Sequence, residues 1–180
     1  MLIDFGPLWA NEYVRAALQM SGWDPDRRVD PSATIDRLVA EGFTCNPYAV
    51  EILQRFHGIK IDREEPKVPG AKYGRSRIAF LPYGDPIDLL ELVNNVGESI
   101  GASIFPIADA DDGLGLILVG DDGQIYDSRQ GQLHRDGATF TEALIRMITR
   151  YDYPDFLGGS LPPWWITKGL AKPKPIQRKE

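Results

Sequence analysis

The stretch Ser21 to Asp30, SGWDPDRRVD, decides how the N-terminal half of this chain is read. Gly22 is a helix stop, Asp24-Pro25 is a turn pair, and Asp30-Pro31 is a helix start. Trp23 therefore stands at a corner between two helices, one over about Pro7 to Met20 and one capped at Asp30. A tryptophan beside Arg27 and Arg28 suits a binding surface, part of an active site, or a structural corner. Asp24, Asp26 and Asp30 lie close to both arginines in sequence. That arrangement predicts that the arginines organise the corner rather than grip a phosphate, and that Trp23 packs across it.

The same helix-start device recurs outward from this stretch, at Asp30-Pro31, Asn46-Pro47 and Asp85-Pro86. The first residue can cap a helix with its side-chain oxygen, and proline is tolerated at the first helical position. Apolar residues follow each pair at helical spacing: Ile35, Leu38 and Val39; Val50, Leu53 and Phe56; Leu89, Leu90, Val93 and Val96. Gly42, Gly58 and then Gly97 or Gly101 supply the stops. A last helix begins at Thr139, with Glu142 at capping-box spacing, and runs to about Arg150.

Strand signals fall between these helices. IKI at 59–61, RIAFL at 77–81 and ASIFPIA at 102–108, which contains Pro106, are short candidates. Leu114 to Val119 and Gln124 to Asp127 flank Gly120-Asp121-Asp122-Gly123 and read as a hairpin. Helices first, then strands, with one helix between strands and one after, predicts an α+β fold. Residues 1–150 read as a single domain. After Tyr151 the pattern dissolves into an extension, 151–180, flexible from about residue 168, with Trp164-Trp165 placed to dock on the body.

Hydrophobic residues make up 43% of the chain and charged residues 26%, as in an ordinary soluble globular protein. The longest apolar run, LGLILVG, is far short of the roughly 20 residues that span a bilayer. The N-terminal residues carry Asp4 and Glu12 where a signal peptide needs positive charge, which predicts a cytoplasmic protein without a membrane partner. One cysteine, Cys45, excludes an internal disulfide and a Cys-rich zinc site. The net charge of −6 is unevenly spread: residues 81–128 hold 10 acidic side chains and not one Lys, Arg or His. Nucleic-acid binding there is disfavoured, and a basic protein partner is favoured.

Catalytic patterns are few. Cys45 and His57 lie at opposite ends of one predicted helix, roughly 18 Å apart at 1.5 Å per residue. His134 approaches Cys45 only if the fold brings it there, and a small hydrolase using Cys45 or His134 is the minor reading. DADDG at 109–113 has its glycine fifth, and Gly120 stands at the twelfth position, so the calcium-loop pattern fails. GLG at 113–115 precedes no Lys-Ser or Lys-Thr, so the phosphate-loop fingerprints fail as well. No catalytic residue, metal ligand or cofactor is assigned, and a non-enzymatic protein is expected.

Five pieces in order, GWDPDRRVD, LVAEGF, AVEILQRFHGIKI, FPIADADDGLGLILVGDDGQIYD and FTEALIRMI, resemble the SUKH superfamily, in its third immunity-protein subfamily. The resemblance covers about residues 21–150. It implies N-terminal helices packed on a mixed, mostly antiparallel sheet, with Gly22, Trp23, Arg27, Gly42, Gly58, Pro106 and Gly123 as structural markers. It also implies a bacterial immunity protein, encoded beside a polymorphic toxin, that binds and neutralises the toxin domain, often a nuclease or deaminase. A regulatory or scaffolding interaction module of the same fold is the alternative. Combined with the charge map, it makes Asp88, Glu91, Asp109, Asp111, Asp112 and Asp122 the candidate contacts to a toxin with a basic surface. Asp85 and Asp121 also lie in the acidic run, where cap and turn roles explain them.

Overall fold

The computed structural model describes residues 2–64, 75–81, 86–110, 113, 115–129, 132–149 and 155–159. The helix expected over about Pro7 to Met20 is two, α1 (Gly6–Ala10) and α2 (Glu12–Met20). Asn11 takes an extended conformation between them, and its side chain accepts from the Tyr13 and Val14 N–H groups at 3.1 Å each. An asparagine that caps a new helix competes locally with continuing the old one.

Helix α2 ends at Gly22, which has φ +80. The Gly22 N–H donates to the Gln19 carbonyl at 3.0 Å and the Trp23 N–H to the Leu18 carbonyl at 2.9 Å. That bond pair is a Schellman cap, which needs a left-handed residue at its centre. Helix α3 (Ser32–Ala40) ends identically, with Gly42 bonded to Val39 and Phe43 to Leu38, both at 3.0 Å. Both caps drive the next aromatic inward, leaving Trp23 1% and Phe43 4% exposed. Asp30 sits one residue before the α3 cap position, where its Oδ1 accepts from the Ser32 N–H and hydroxyl. Helix α4 (Pro47–Phe56) starts as the sequence predicts: Asn46 Oδ1 accepts from the Ala49 N–H at 2.9 Å. Asn46 Nδ2 donates to the Val119 carbonyl at 3.1 Å, which ties that helix end to the sheet.

The Ser21 to Asp30 stretch binds the end of α4 instead of only bridging α2 and α3. Trp23 stacks on Phe56 at 5.1 Å between ring centroids, and Phe56 also meets Phe5, Phe80 and Phe140 within 6.0 Å. Arg27 Nη1 donates to the Arg55 carbonyl at 2.7 Å and Nη2 to the His57 carbonyl at 2.8 Å. In return, buried Arg55 donates to the Pro25 carbonyl, and the Val29 N–H donates to the Gln54 carbonyl at 2.9 Å. The carboxylate partners expected for Arg27 thus give way to helix-end carbonyls. The last turn of a helix carries unpaired acceptors and partial negative charge, which a guanidinium matches.

Among the described residues seven strands follow: β1 (Lys60–Glu64), β2 (Arg75–Ala79), β3 (Ile104–Ala110), β4 (Gly115–Gly120), β5 (Ile125–Arg129), β6 (Gln132–Gly137) and β7 (Asp155–Gly159). They form one sheet in sequence order, and every described pairing is antiparallel, with no parallel pair to make it mixed. Helix α5 (Pro86–Ile100) joins β2 to β3, and α6 (Phe140–Thr149) follows β6. The α+β class holds. Strand β7 carries the sheet into residues read as an extension, whereas Trp164-Trp165 and the residues beyond 168 lie outside the described residues.

Strands β3 and β4 are buried at every position. Pro106 falls where the β3–β4 register shifts, and a bulge tolerates a residue with no N–H to donate. Gly137 is set by packing: a Cβ there would lie 2.7 Å from the Ala143 backbone N and 3.1 Å from its Cα. Since backbone cannot move aside as a side-chain tip can, Gly137→Ala is expected to cost about 1–3 kcal/mol. Chemical denaturation reads the loss, and unchanged stability would show that α6 shifts freely on β6.

Candidate functional site

The structure separates the six acidic residues that the sequence groups together. Asp109 is 4% exposed, because β3 runs on to Ala110 and pairs Asp109 with Leu116; its carboxylate is inside the fold and is not a surface contact. Asp111 and Asp112 lie outside the described residues, as does Asp85. Asp88 and Glu91 are on α5, and the Glu91 side chain is exposed. Asp122 is exposed in the β4–β5 turn, with Oδ1 accepting from the Gln124 N–H at 3.0 Å and Oδ2 from the Gln124 side-chain amide at 2.6 Å. It lines the large groove described next, which the other described candidates, Asp109 and Glu91, do not.

That groove has a volume of about 690 Å³ and lies between residues 2–7, the β4–β5 turn and α6. Each wall is pinned by local physics. The Leu2 N–H donates to Glu51 Oε2 at 2.6 Å, and the Thr141 hydroxyl donates to the Asp4 carbonyl at 2.6 Å, which fixes the N-terminal segment against α4 and α6. Asp4 Oδ1 accepts from the Gly6 N–H at 2.9 Å. Helix α6 opens with the expected cap: Thr139 Oγ1 accepts from the Glu142 N–H at 3.2 Å, and Glu142 Oε2 reaches back to the Ala138 N–H at 3.0 Å. Glu142 Oε1 meets Arg146 Nη2 at 3.2 Å.

Tyr48 of α4 closes the groove beneath the turn. A Cβ on Gly123 would meet its ring at 2.9 Å, and Gly123 also has φ +83, so packing and turn geometry both call for glycine. The lining combines apolar and acidic groups: Leu2 (55% exposed), Tyr48 and Ile145 with Asp4, Asp122 and Glu142. Burial raises the pKa of nearby Tyr126, and the Asp122 carboxylate raises it further. In sequence, Asp4 spoke only against a signal peptide and Glu142 signalled only a helix start. Residues far apart in the chain converge here only through the tertiary fold.

Cys45 and His134, the residues of the minor hydrolase reading, are held by different parts of the sheet. Burial raises the Cys45 thiol pKa, which keeps it in the weakly nucleophilic protonated form. His134 is buried in β6, two strands from β4, where the residue after Cys45 is anchored. At about 4.8 Å per strand this is roughly 10 Å across the sheet alone, beyond hydrogen-bond reach. Among the described residues, no three His, Cys, Asp or Glu side chains gather as metal ligands, and no helix is long and apolar enough to cross a membrane.

His57, at the end of α4, sits 2.8 Å from the Thr34 hydroxyl through its Nε2. Burial lowers its pKa, and the Arg27 guanidinium lowers it further. Because the folded pKa lies below the ordinary histidine value of 6.5, the unfolded chain takes up a proton more readily than the folded one. The neutral imidazole's stabilising contribution is therefore complete above about pH 6.5 and lost as pH falls towards the folded pKa. His57→Gln is expected to flatten the stability profile in that window. NMR titration of His57 checks the cause, and a midpoint at or above 6.5 would refute it.

A family model for the SUKH-3 immunity protein matches residues 10–150. It therefore takes in α2 and begins 11 residues before the sequence resemblance at 21. No curated protein and no solved structure matches the chain. The match spans α2 through α6, including the Trp23 corner, the acidic run and the helix that walls the groove, and the chain belongs to the SUKH-3 immunity protein family.

Proposed function

We propose that this protein neutralises a cognate bacterial polymorphic toxin by binding it directly and stoichiometrically, without catalysis, in the cytoplasm. The family match over residues 10–150 carries the reading. The run without a basic residue from 81 to 128 supports a toxin with a basic surface, as a nuclease or deaminase domain presents to nucleic acid. In this reading residues 1–150 form the binding unit. Asp88, Glu91, Asp111, Asp112 and Asp122 provide the field that steers association, while Asp109 drops out because it is buried.

Co-expression with the toxin domain encoded by the neighbouring gene tests this. Growth is restored and a one-to-one complex is recovered if the reading is right, and added toxin beyond one equivalent remains active. Binding weakens as salt screens the acidic field, and changing Asp111 and Asp112 together to Asn weakens it at low salt and lessens its salt dependence. Neutralisation by substoichiometric amounts would point to an enzyme; neither rescue nor complex would end the reading.

A further inference from the structure

Resting on that reading, we propose that the groove between residues 2–7, the β4–β5 turn and α6 is where the toxin docks. There it would receive a lysine or arginine flanked by apolar side chains. The lining supports this occupant in three ways. Among the described residues of the lining, Asp4, Asp122 and Glu142 stand against one cation, Arg146, which Glu142 already pairs, so this part of the lining is net negative and suits an incoming positive charge. Their carboxylates are held in place by the Gly6, Gln124 and Ala138 backbone N–H groups. A carboxylate offers about four acceptor positions, so these bonds orient each group without exhausting it.

The apolar part comes from Leu2, Tyr48 and Ile145, and Leu2 is one of few large hydrophobic side chains left exposed among the described residues. An apolar floor with an ordered charged rim is how interfaces seat an anchoring side chain. At about 690 Å³ the groove has room for more than one side chain. Its walls are already pinned by the Leu2–Glu51 and Thr141–Asp4 bonds, so binding need not order them.

The test uses the full chain and the toxin domain of the neighbouring gene, with association rates measured at low and high salt. Asp4→Asn, Asp122→Asn and Glu142→Gln together keep an oxygen for each backbone bond and remove three charges. Association is expected to slow about tenfold at low salt and to lose part of its salt dependence, the remainder coming from the carboxylates outside the groove. Leu2→Ser is expected to speed dissociation, whereas Asp36→Asn, a one-charge change on exposed α3 surface outside both the groove and the acidic run, leaves both rates unchanged. Hydrogen exchange of the complex is expected to protect residues 2–7 and 138–149. A wild-type complex whose rates ignore the triple change, with protection confined elsewhere, overturns the groove and leaves the immunity reading standing. No wild-type complex overturns both.

Discussion

Trp23→Ala is expected to remove about 3–5 kcal/mol of folding free energy, the range for truncating a fully buried large aromatic. Trp23 is 1% exposed, stacks on Phe56 and lies 6.1 Å from the Trp9 ring. Removing the indole leaves a void inside a ring cluster whose members touch one another, so no single neighbour can collapse into it. A small domain is stable by only about 5–15 kcal/mol, and the variant would sit near the limit of folding. With a urea slope of about 1–3 kcal/mol per molar, the midpoint should fall by more than 1 M at an unchanged slope. Trp23→Phe should be much milder, because the buried Nε1 has no hydrogen-bond partner among the described residues and its loss strands no acceptor. A loss below about 1 kcal/mol for Trp23→Ala would mean that the corner repacks and is not a fixed part of the core.

Arg27→Ala is expected to cost about 2–3 kcal/mol, the scale of losing charge-assisted hydrogen bonds and leaving their acceptors partly buried. Two carbonyls of the α4 end, those of Arg55 and His57, lose their donors together. Burial lowers the Arg27 pKa and Asp24 opposes that shift, but an arginine stays charged at neutral pH. Arg27→Lys keeps the charge but cannot reach two divergent acceptors with one ammonium, so it should restore only part of the loss. A second readout separates this role from plain packing. Arg27 is one of the two causes that lower the His57 pKa, so the His57 titration should move upward in Arg27→Ala. Thermal melts with NMR titration of His57 would check both effects. A destabilised variant with an unmoved His57 would place the Arg27 contribution in packing alone.

Much of the helical layer was legible because its signals are local. An Asn46 cap, a Thr139 cap with Glu142, and left-handed glycines at 22, 42 and 58 act through atoms only a few residues away. The β4–β5 hairpin was readable for the same reason: its turn lies inside the stretch that pairs. Asn11 was missed because a capping residue in the middle of an apolar pattern looks like one polar position on a helix face. Strand β6, QLHRDG, and β7, DFLGG, carry neither alternation nor β-branched residues and exist through the neighbours they pair with.

The site was far less legible. Sequence placed Asp109 with the other acidic residues of its loop, but the pairing of β3 with β4 puts it inside. Sequence placed Arg27 among carboxylates, while the packing of Trp23 on Phe56 delivers it to the end of α4. The chain by itself determined its class, most of its helix stops, its hairpin, its family resemblance and the acidic bias of its second half, since each rests on composition or short-range bonding. Only the tertiary structure decided which carboxylates reach solvent and which face a common groove. Convergence on the groove is set by partners up to more than a hundred residues away, as when Thr141 holds Asp4, and burial by which strands pair.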